Sequence, residues 1–264
     1  MSTTKPLSYI SYLKLDELQQ LQQPLSDGPE HDEMLFIVIH QVYELWFKQV
    51  LHELRFLRKN LEAHKPAPVL ATLDRVLTIF KTLVGQVDVL ETMTPMSFNS
   101  FRERLEASSG FQSAQFRELE FMLGHKRPKL IENYPEESGL RESLQAALEQ
   151  PSIFRALLSF LAAEGYEIPA AATAGDPSAA TQACEALQPV LIKAYQDEGW
   201  AMQICERFVD LDEGLQEWRY RHVKMVERTI GAKLGTGGSM GAAYLRQTLF
   251  TPLFPDLWAI RASL

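Results

Sequence analysis

The stretch from His31 to about Leu61 constrains this chain more than any other. Leu35, Ile39, Val42, Trp46, Val50, Leu54 and Leu57 recur at every third or fourth position, and Phe36, Tyr43, Phe47 and Leu51 form a second apolar line beside them. A repeat near 3.6 residues puts each line on one side of an α-helix, and a helix that is apolar on two sides must run through the centre of its fold. Pro29 ahead of the pattern, with Glu30, Asp32 and Glu33 in the first turn, suits the positive end of the helix dipole; Lys59 suits the negative end. Further helical patterns cover residues 69–91, 113–123 (stopped by Gly124 and Pro128), 138–149, 151–164, 179–198 and 201–231, while strand-like alternation is scarce. The expected fold class is all-α. The Ala-, Pro- and Gly-rich stretch 164–181 reads as a loop, and with no internal repeat the chain is expected to form a single helical domain over 1–264.

Composition removes several classes of function. A formal charge of −8 argues against a surface built to neutralise many phosphates, and the only compact basic runs are HKRPK around residue 127 and WRYRHVK near residue 221. No nucleic-acid partner is expected. Cys184 and Cys205 lack CxxC spacing, and two thiols in 264 residues give no disulfide framework, which points to a reducing cytoplasm. No uncharged apolar run reaches the roughly 18 to 20 residues that span a bilayer, so neither export nor membrane insertion is expected.

Four stretches can carry chemistry. His40 interrupts the apolar run FIVIHQVYELWFKQVL and shares a helix face with Phe36 and Phe47, so its ring points at something apolar. It is either a core imidazole bonded to a neighbour or a distal ligand or acid/base group. His222 falls on the inward stripe of EWRYRHVKMVERTIG together with Trp218, Met225, Val226 and Thr229. A neutral imidazole projecting into an apolar cavity is also what an axial haem ligand requires, though spacing alone does not separate the two readings. No HExxH motif and no Glu-x-x-His pair is present, so a metal would rest on few protein ligands, which favours a porphyrin with four nitrogens of its own. His31, His52, His64 and His125 lie near helix ends or among charges and read as surface residues. The segment GTGGSMG follows a helix and matches neither phosphate-binding pattern; its amides, with the hydroxyls of Thr236 and Ser239, suit either a ligand carboxylate or amine, or a plain surface turn. In MSFNSFRERLEASSGFQS, Phe98 and Arg102 are four apart, with Leu105 one turn on, which suits a ligand with a flat apolar body and a carboxylate, or else a solvated arginine beside a core ring.

Read together, the blocks YISYLKLDELQQLQ, HDEMLFIVIHQVYELWFKQVLHEL, FRERLEASSGFQSAQFRELE and WRYRHVKMVERTIGAKLGTGGSMGAAYLR, in that order and spanning most of the chain, closely resemble the tryptophan 2,3-dioxygenase family. The resemblance implies an all-helical haem domain of the tryptophan/indoleamine dioxygenase type, assembled as a homotetramer in which residues 1–28 form an arm that reaches a neighbouring subunit. It implies haem b, ferrous in the active form, with His222 as the axial iron ligand and His40 as the distal, catalytic histidine near the indole nitrogen. Phe36 would pack on the indole, with Ile37, Val38 and Ile39 beside it, and Arg102 would hold the substrate carboxylate. Thr236 would contact the amino and carboxylate end, Phe98, Leu105, Ser109 and Gly110 would shape the pocket, and Tyr9 and Tyr12 would close it.

The reaction so implied inserts O2 across the C2–C3 bond of L-tryptophan to give N-formylkynurenine, the first step of the kynurenine pathway, in the cytoplasm. Two alternatives stand beside it: a family relative that adds one oxygen atom to tryptophan or a substituted tryptophan, and a haem-free helical binding protein.

Overall fold

The computed structural model describes residues 6–28, 30–106, 108, 110–235 and 241–264, and among these no strand forms. The elements in chain order are α1 (Tyr9–Leu13), α2 (Leu15–Leu18), α3 (His31–Glu62), α4 (Pro66–Leu90), α5 (Pro95–Phe101), α6 (Ala114–Met122), α7 (Leu140–Glu149), α8 (Ile153–Ala163), α9 (Ala170–Thr173), α10 (Gln188–Gln196), α11 (Trp200–Ile230), α12 (Ala242–Arg246) and α13 (Pro255–Ala259). The fold class is all-α, as the periodicity indicates. Pro29 lies outside the described residues.

Three long helices set the architecture. Only three residues join α3 to α4, so α4 must return along α3, and α11 packs along α4 in turn. At the turn, His64 takes a left-handed backbone (φ 52°) and Lys65 N–H donates to the Asn60 carbonyl, which satisfies one of the orphan groups at the end of α3. Pro66 and Pro95 open α4 and α5 where a missing N–H costs nothing, and Thr94 and Ser113 cap α5 and α6 with their side-chain oxygens. The main core lies where the second half of α3 meets α4, α8 and the first half of α11. Leu54, Leu57, Leu61, Leu83, Phe160, Phe208 and Leu211 are all fully buried there. At roughly 1.5–3 kcal/mol for each large apolar side chain removed from water, this cluster is the principal stabiliser of the fold. Asp212 of α11 ties the chain's last segment to it, accepting from Leu253 N–H (2.8 Å), Phe254 N–H (3.2 Å) and Trp258 Nε1 (2.9 Å).

Local structure departs from the sequence reading in identifiable ways. The pattern at 179–198 is helical only from Glu185, first as a 3-10 turn and then as α10; Thr181 N–H instead donates to the Gly124 carbonyl. Gly124 has φ +96°, and a Cβ there would collide with the Thr181 hydroxyl, so this close approach requires glycine. Four residues of the expected 164–181 loop form the short α9. The two basic runs do not form patches. Lys126 is buried, donates to the carbonyls of Leu148 and Gln150 at the end of α7, and burial lowers its pKa to about 8. Arg221 pairs with Asp88 and Glu91, and Lys224 with Glu227.

Candidate functional site

Beyond the main core, the first half of α3 and the second half of α11 diverge from close packing. Together with α5, α6 and α12 they enclose a cavity of about 250 Å³. Two aromatic groups build its walls. Around the α3 side, Phe36 sits 4.1 Å from the His40 ring and 5.8 and 5.6 Å from Phe98 and Phe101. Around the α11 side, Trp218 packs against Phe116 (4.9 Å), Phe47 (6.1 Å) and Tyr43 (6.3 Å), which closes the cavity off from the main core. Both groups follow from the four-residue spacing of rings along α3 and their partners on α5, α6 and α11.

His40 and His222 both line this cavity. The His40 Nδ1 lies 2.7 Å from the Phe36 carbonyl oxygen. A carbonyl can only accept, so Nδ1 carries the proton and Nε2 is left as a bare acceptor. Burial lowers the His40 pKa, against the opposing pull of the Phe36 carbonyl and the Glu44 carboxylate one turn on. His222 stacks on Trp218 with centroids 5.1 Å apart and planes 11° from parallel. Burial pushes its pKa down to about 4, and a charge on nearby His40 would lower it further. The surface that His222 retains faces the cavity. Both imidazoles are therefore neutral at pH 7, and His222 has a lone pair to offer.

The polar part of the wall comes from other elements. The α5 helix ends at Phe101, and Arg102 opens a 3-10 turn, yet its N–H still donates to the Phe98 carbonyl and both side chains line the cavity. The Arg102 guanidinium donates to the Leu234 carbonyl beyond the end of α11. At Gly241 (φ +56°) an added Cβ would lie 2.8 Å from the Lys233 carbonyl, so the chain returns from the glycine-rich segment at a spacing only glycine permits. Glu44 is held by Gln115 (2.8 Å), and Glu120 is ringed by Arg117, Arg127 and Arg219.

Among the residues singled out in the sequence, Phe36, His40, Phe98, Arg102, Gly110 and His222 come together on the cavity. Ile37, Val38 and Ile39 do not line it, because on a helix the positions between Phe36 and His40 turn away; Ile39 packs behind the wall and Val38 faces outward. Leu105 packs in the same cluster behind Phe98. Tyr9 and Tyr12 are exposed on α1, away from the cavity. Ser109 and Thr236 lie outside the described residues. His125 is not a surface residue: it is tucked beside Glu120, and burial lowers its pKa to about 4. Sequence reasoning did not single out Glu44, Trp218 as a stacking partner, or the arginines around Glu120. Glu44 is the charged residue one turn beyond His40, which was a usable signal; the arginine group joins α6 to α11 across 99 residues and left none.

Among the described residues no group of three or more His, Cys, Asp or Glu side chains converges on a metal position. A metal held by His222 alone needs a carrier that supplies its remaining ligands, and a flat tetrapyrrole fits the donor chemistry: one neutral imidazole, aromatic walls and cationic side chains in the same cavity. Comparison with known proteins agrees with this chemistry. The family model described as tryptophan 2,3-dioxygenase matches residues 1–171 and 172–264. The chain is 59% identical to a tryptophan 2,3-dioxygenase of Anaeromyxobacter dehalogenans over 258 residues, covering 98% of this chain and 96% of the relative. Identity is 55% over 261 residues with that of Herpetosiphon aurantiacus (99% and 100% covered) and 43% over 264 residues with that of Pseudomonas aeruginosa (99% and 91% covered). With the family model matched over residues 1–264 and relatives 43–59% identical over nearly the whole chain, the chain belongs to the tryptophan 2,3-dioxygenase family.

Proposed function

We propose that this chain is a haem-dependent dioxygenase that inserts both atoms of O2 across the C2–C3 bond of the L-tryptophan indole, giving N-formylkynurenine at the head of the kynurenine pathway. The observation that carries the reading is the meeting, in one aromatic cavity, of two neutral imidazoles from α3 and α11 with the Arg102 guanidinium. His222 would hold haem b through its lone pair. Haem supplies, when bound, the ferrous iron that activates O2.

The protein's own contribution is binding and orientation. Indole is a flat apolar ring with one N–H donor, and the bare Nε2 of His40, locked as an acceptor by the bond from Nδ1–H to Phe36, is the group that would receive that donor. Phe36 and Phe98 supply apolar faces on the same wall. Arg102 would bind the substrate carboxylate in a charge-assisted contact, exchanging the neutral Leu234 carbonyl for an anion. The aromatic walls would shield the indole from water and restrict its orientation, which lowers the barrier by restricting approach. By family resemblance, Thr236 would contact the amino and carboxylate end, and Leu105, Ser109 and Gly110 would help shape the pocket.

The N-terminal arm supports a homotetramer. Leu7, Tyr9, Ile10 and Tyr12 are more than half exposed in the isolated chain, an apolar surface that suits a second copy, and Tyr9 and Tyr12 would close a neighbour's pocket. Cys184 and Cys205 are free thiols, in keeping with work in the cytoplasm; no helix among the described residues is long and apolar enough to cross a membrane.

The decisive experiment is the product mass after the ferrous, haem-loaded protein is given L-tryptophan and O2. Gain of two oxygen atoms is expected, both from O2; a product one oxygen heavier than the substrate refutes the dioxygenase assignment. Loss of the haem absorption band in His222→Ala checks the ligand.

A further inference from the structure

The cavity wall carries one charged group that the reaction leaves unused. Glu120 on α6 is 1% exposed and receives Arg127 Nη2 at 2.8 and 3.0 Å, Arg219 Nη2 at 2.9 Å, and the Arg117 guanidinium. Arg117 and Arg219 are themselves 4% and 3% exposed. Three guanidiniums contact one carboxylate, and Asp212 acts on Arg219 only at longer range, so the contacts themselves leave two positive charges unmatched; all four side chains line the cavity. The wider count agrees: the cavity wall holds Arg102, Arg117, Arg127 and Arg219 against Glu44 and Glu120, four charges less two. Arg117 and Arg219 are almost fully buried and Arg127 keeps about a quarter of its side chain exposed, and a buried charge in excess is destabilising unless a counter-ion meets it.

The donors left over point the same way. Arg117 Nε and Arg127 Nε are buried and have no acceptor among the described residues. Arg127 Nη1 donates to the Tyr244 hydroxyl at 2.8 Å, which fixes the guanidinium plane against α12. Guanidinium groups held rigid, with donors unused and charge unmatched, are complementary to carboxylates, which they can bind by paired hydrogen bonds. Two excess charges call for a ligand with two such groups. Arg219 lies three residues before His222 on α11 and so on the same side of that helix.

We propose that Arg117, Arg127 and Arg219 form the seat for the two carboxylate arms of the tetrapyrrole, with Glu120 holding the three guanidiniums in position. The inference rests on the haem reading above. It is tested by loading the full chain with ferric protoporphyrin IX and, in parallel, with its dimethyl ester, which keeps the iron and the ring but carries no carboxylate. Affinity is read from absorption titration, and haem release from the loaded protein is timed with an excess of a scavenging globin. The wild type should favour the diacid over the diester by about tenfold or more. Arg127→Gln and Arg117→Gln should each release the diacid about tenfold faster while leaving the diester unchanged, and Arg127→Lys should recover part of the loss. Equal affinity of the wild type for the two forms overturns the proposal whatever the variants do, as does an undiminished preference in both glutamine variants. If neither porphyrin binds the wild type, the haem reading itself falls, and the seat with it.

Discussion

The two halves of α11 use the same inward stripe for opposite ends. From Ile204 through Phe208 and Leu211 to Leu215 the inward side chains have no exposed surface, whereas His222, Met225, Val226 and Thr229 further along all keep some. The α3 helix repeats the contrast in reverse, with Leu54, Leu57 and Leu61 sealed and Phe36, His40 and Tyr43 open to the cavity. Amphipathicity does not explain the difference, since both halves have it. The facing elements do. The α4 and α8 helices send side chains into the sealed halves, while the open halves face the end of α4, the short α5, α6, a 3-10 turn and α12, which leave the gap unfilled. Polar groups follow suit: Asp212 in the sealed half bonds to the chain's own backbone and indole, whereas His40, His222 and Arg102 line the cavity with groups suited to a ligand.

Mutation should separate the halves by size of effect. Phe208→Ala leaves a void in close packing and should cost about 3–5 kcal/mol in a denaturant melt, while Met225→Ala, already beside open space, should cost less than about 2 kcal/mol; equal losses would erase the distinction. Next comes acid. His125 has its folded pKa lowered by burial to about 4 from an ordinary value of 6.5, so the unfolded chain binds more protons between those values. Stability should therefore be full above about pH 6.5 and decline as pH falls toward 4, by about 3 kcal/mol at most from this residue, and His125→Gln should flatten that limb of the melt-versus-pH curve. Arg102→Ala should lower kcat/KM for L-tryptophan roughly 10- to 150-fold, the worth of one charged hydrogen bond, with haem content unchanged and only a small drop in melting from the lost bond to Leu234; a parallel loss of haem would move Arg102 from substrate to cofactor. The smallest effect belongs to the border: Tyr43 donates to the Leu83 carbonyl at 2.8 Å, and Tyr43→Phe should cost about 1 kcal/mol.

Long periodic helices are legible in the sequence because their signal is repeated over many turns: the period runs from His31 to about Leu61, and α3 ends at Glu62. Short elements escaped, since α1, α2, α12 and α13 offer only four or five residues each, too few for a period to show. The 179–198 pattern overstates the helix because alanine content favours helix while the contact of Gly124 with Thr181, far apart in sequence, holds the first residues out of it. At the site, His40, His222 and the Phe98–Arg102 pair stood out as polar groups on apolar faces. The arginine group around Glu120 did not, because its members look like ordinary helix-surface charge until α6 and α11 are brought together.

One consequence of α11 concerns how the protein comes apart. A single unbroken rod of 31 residues is nailed into the sealed interior by Phe208 and carries His222 and Arg219 at its other end. A porphyrin seated at that far end would bind the folded chain and not the unfolded one, so its binding energy would add to the stability of the buried half. Raising free porphyrin above its dissociation constant would then lift the melting temperature of the whole molecule.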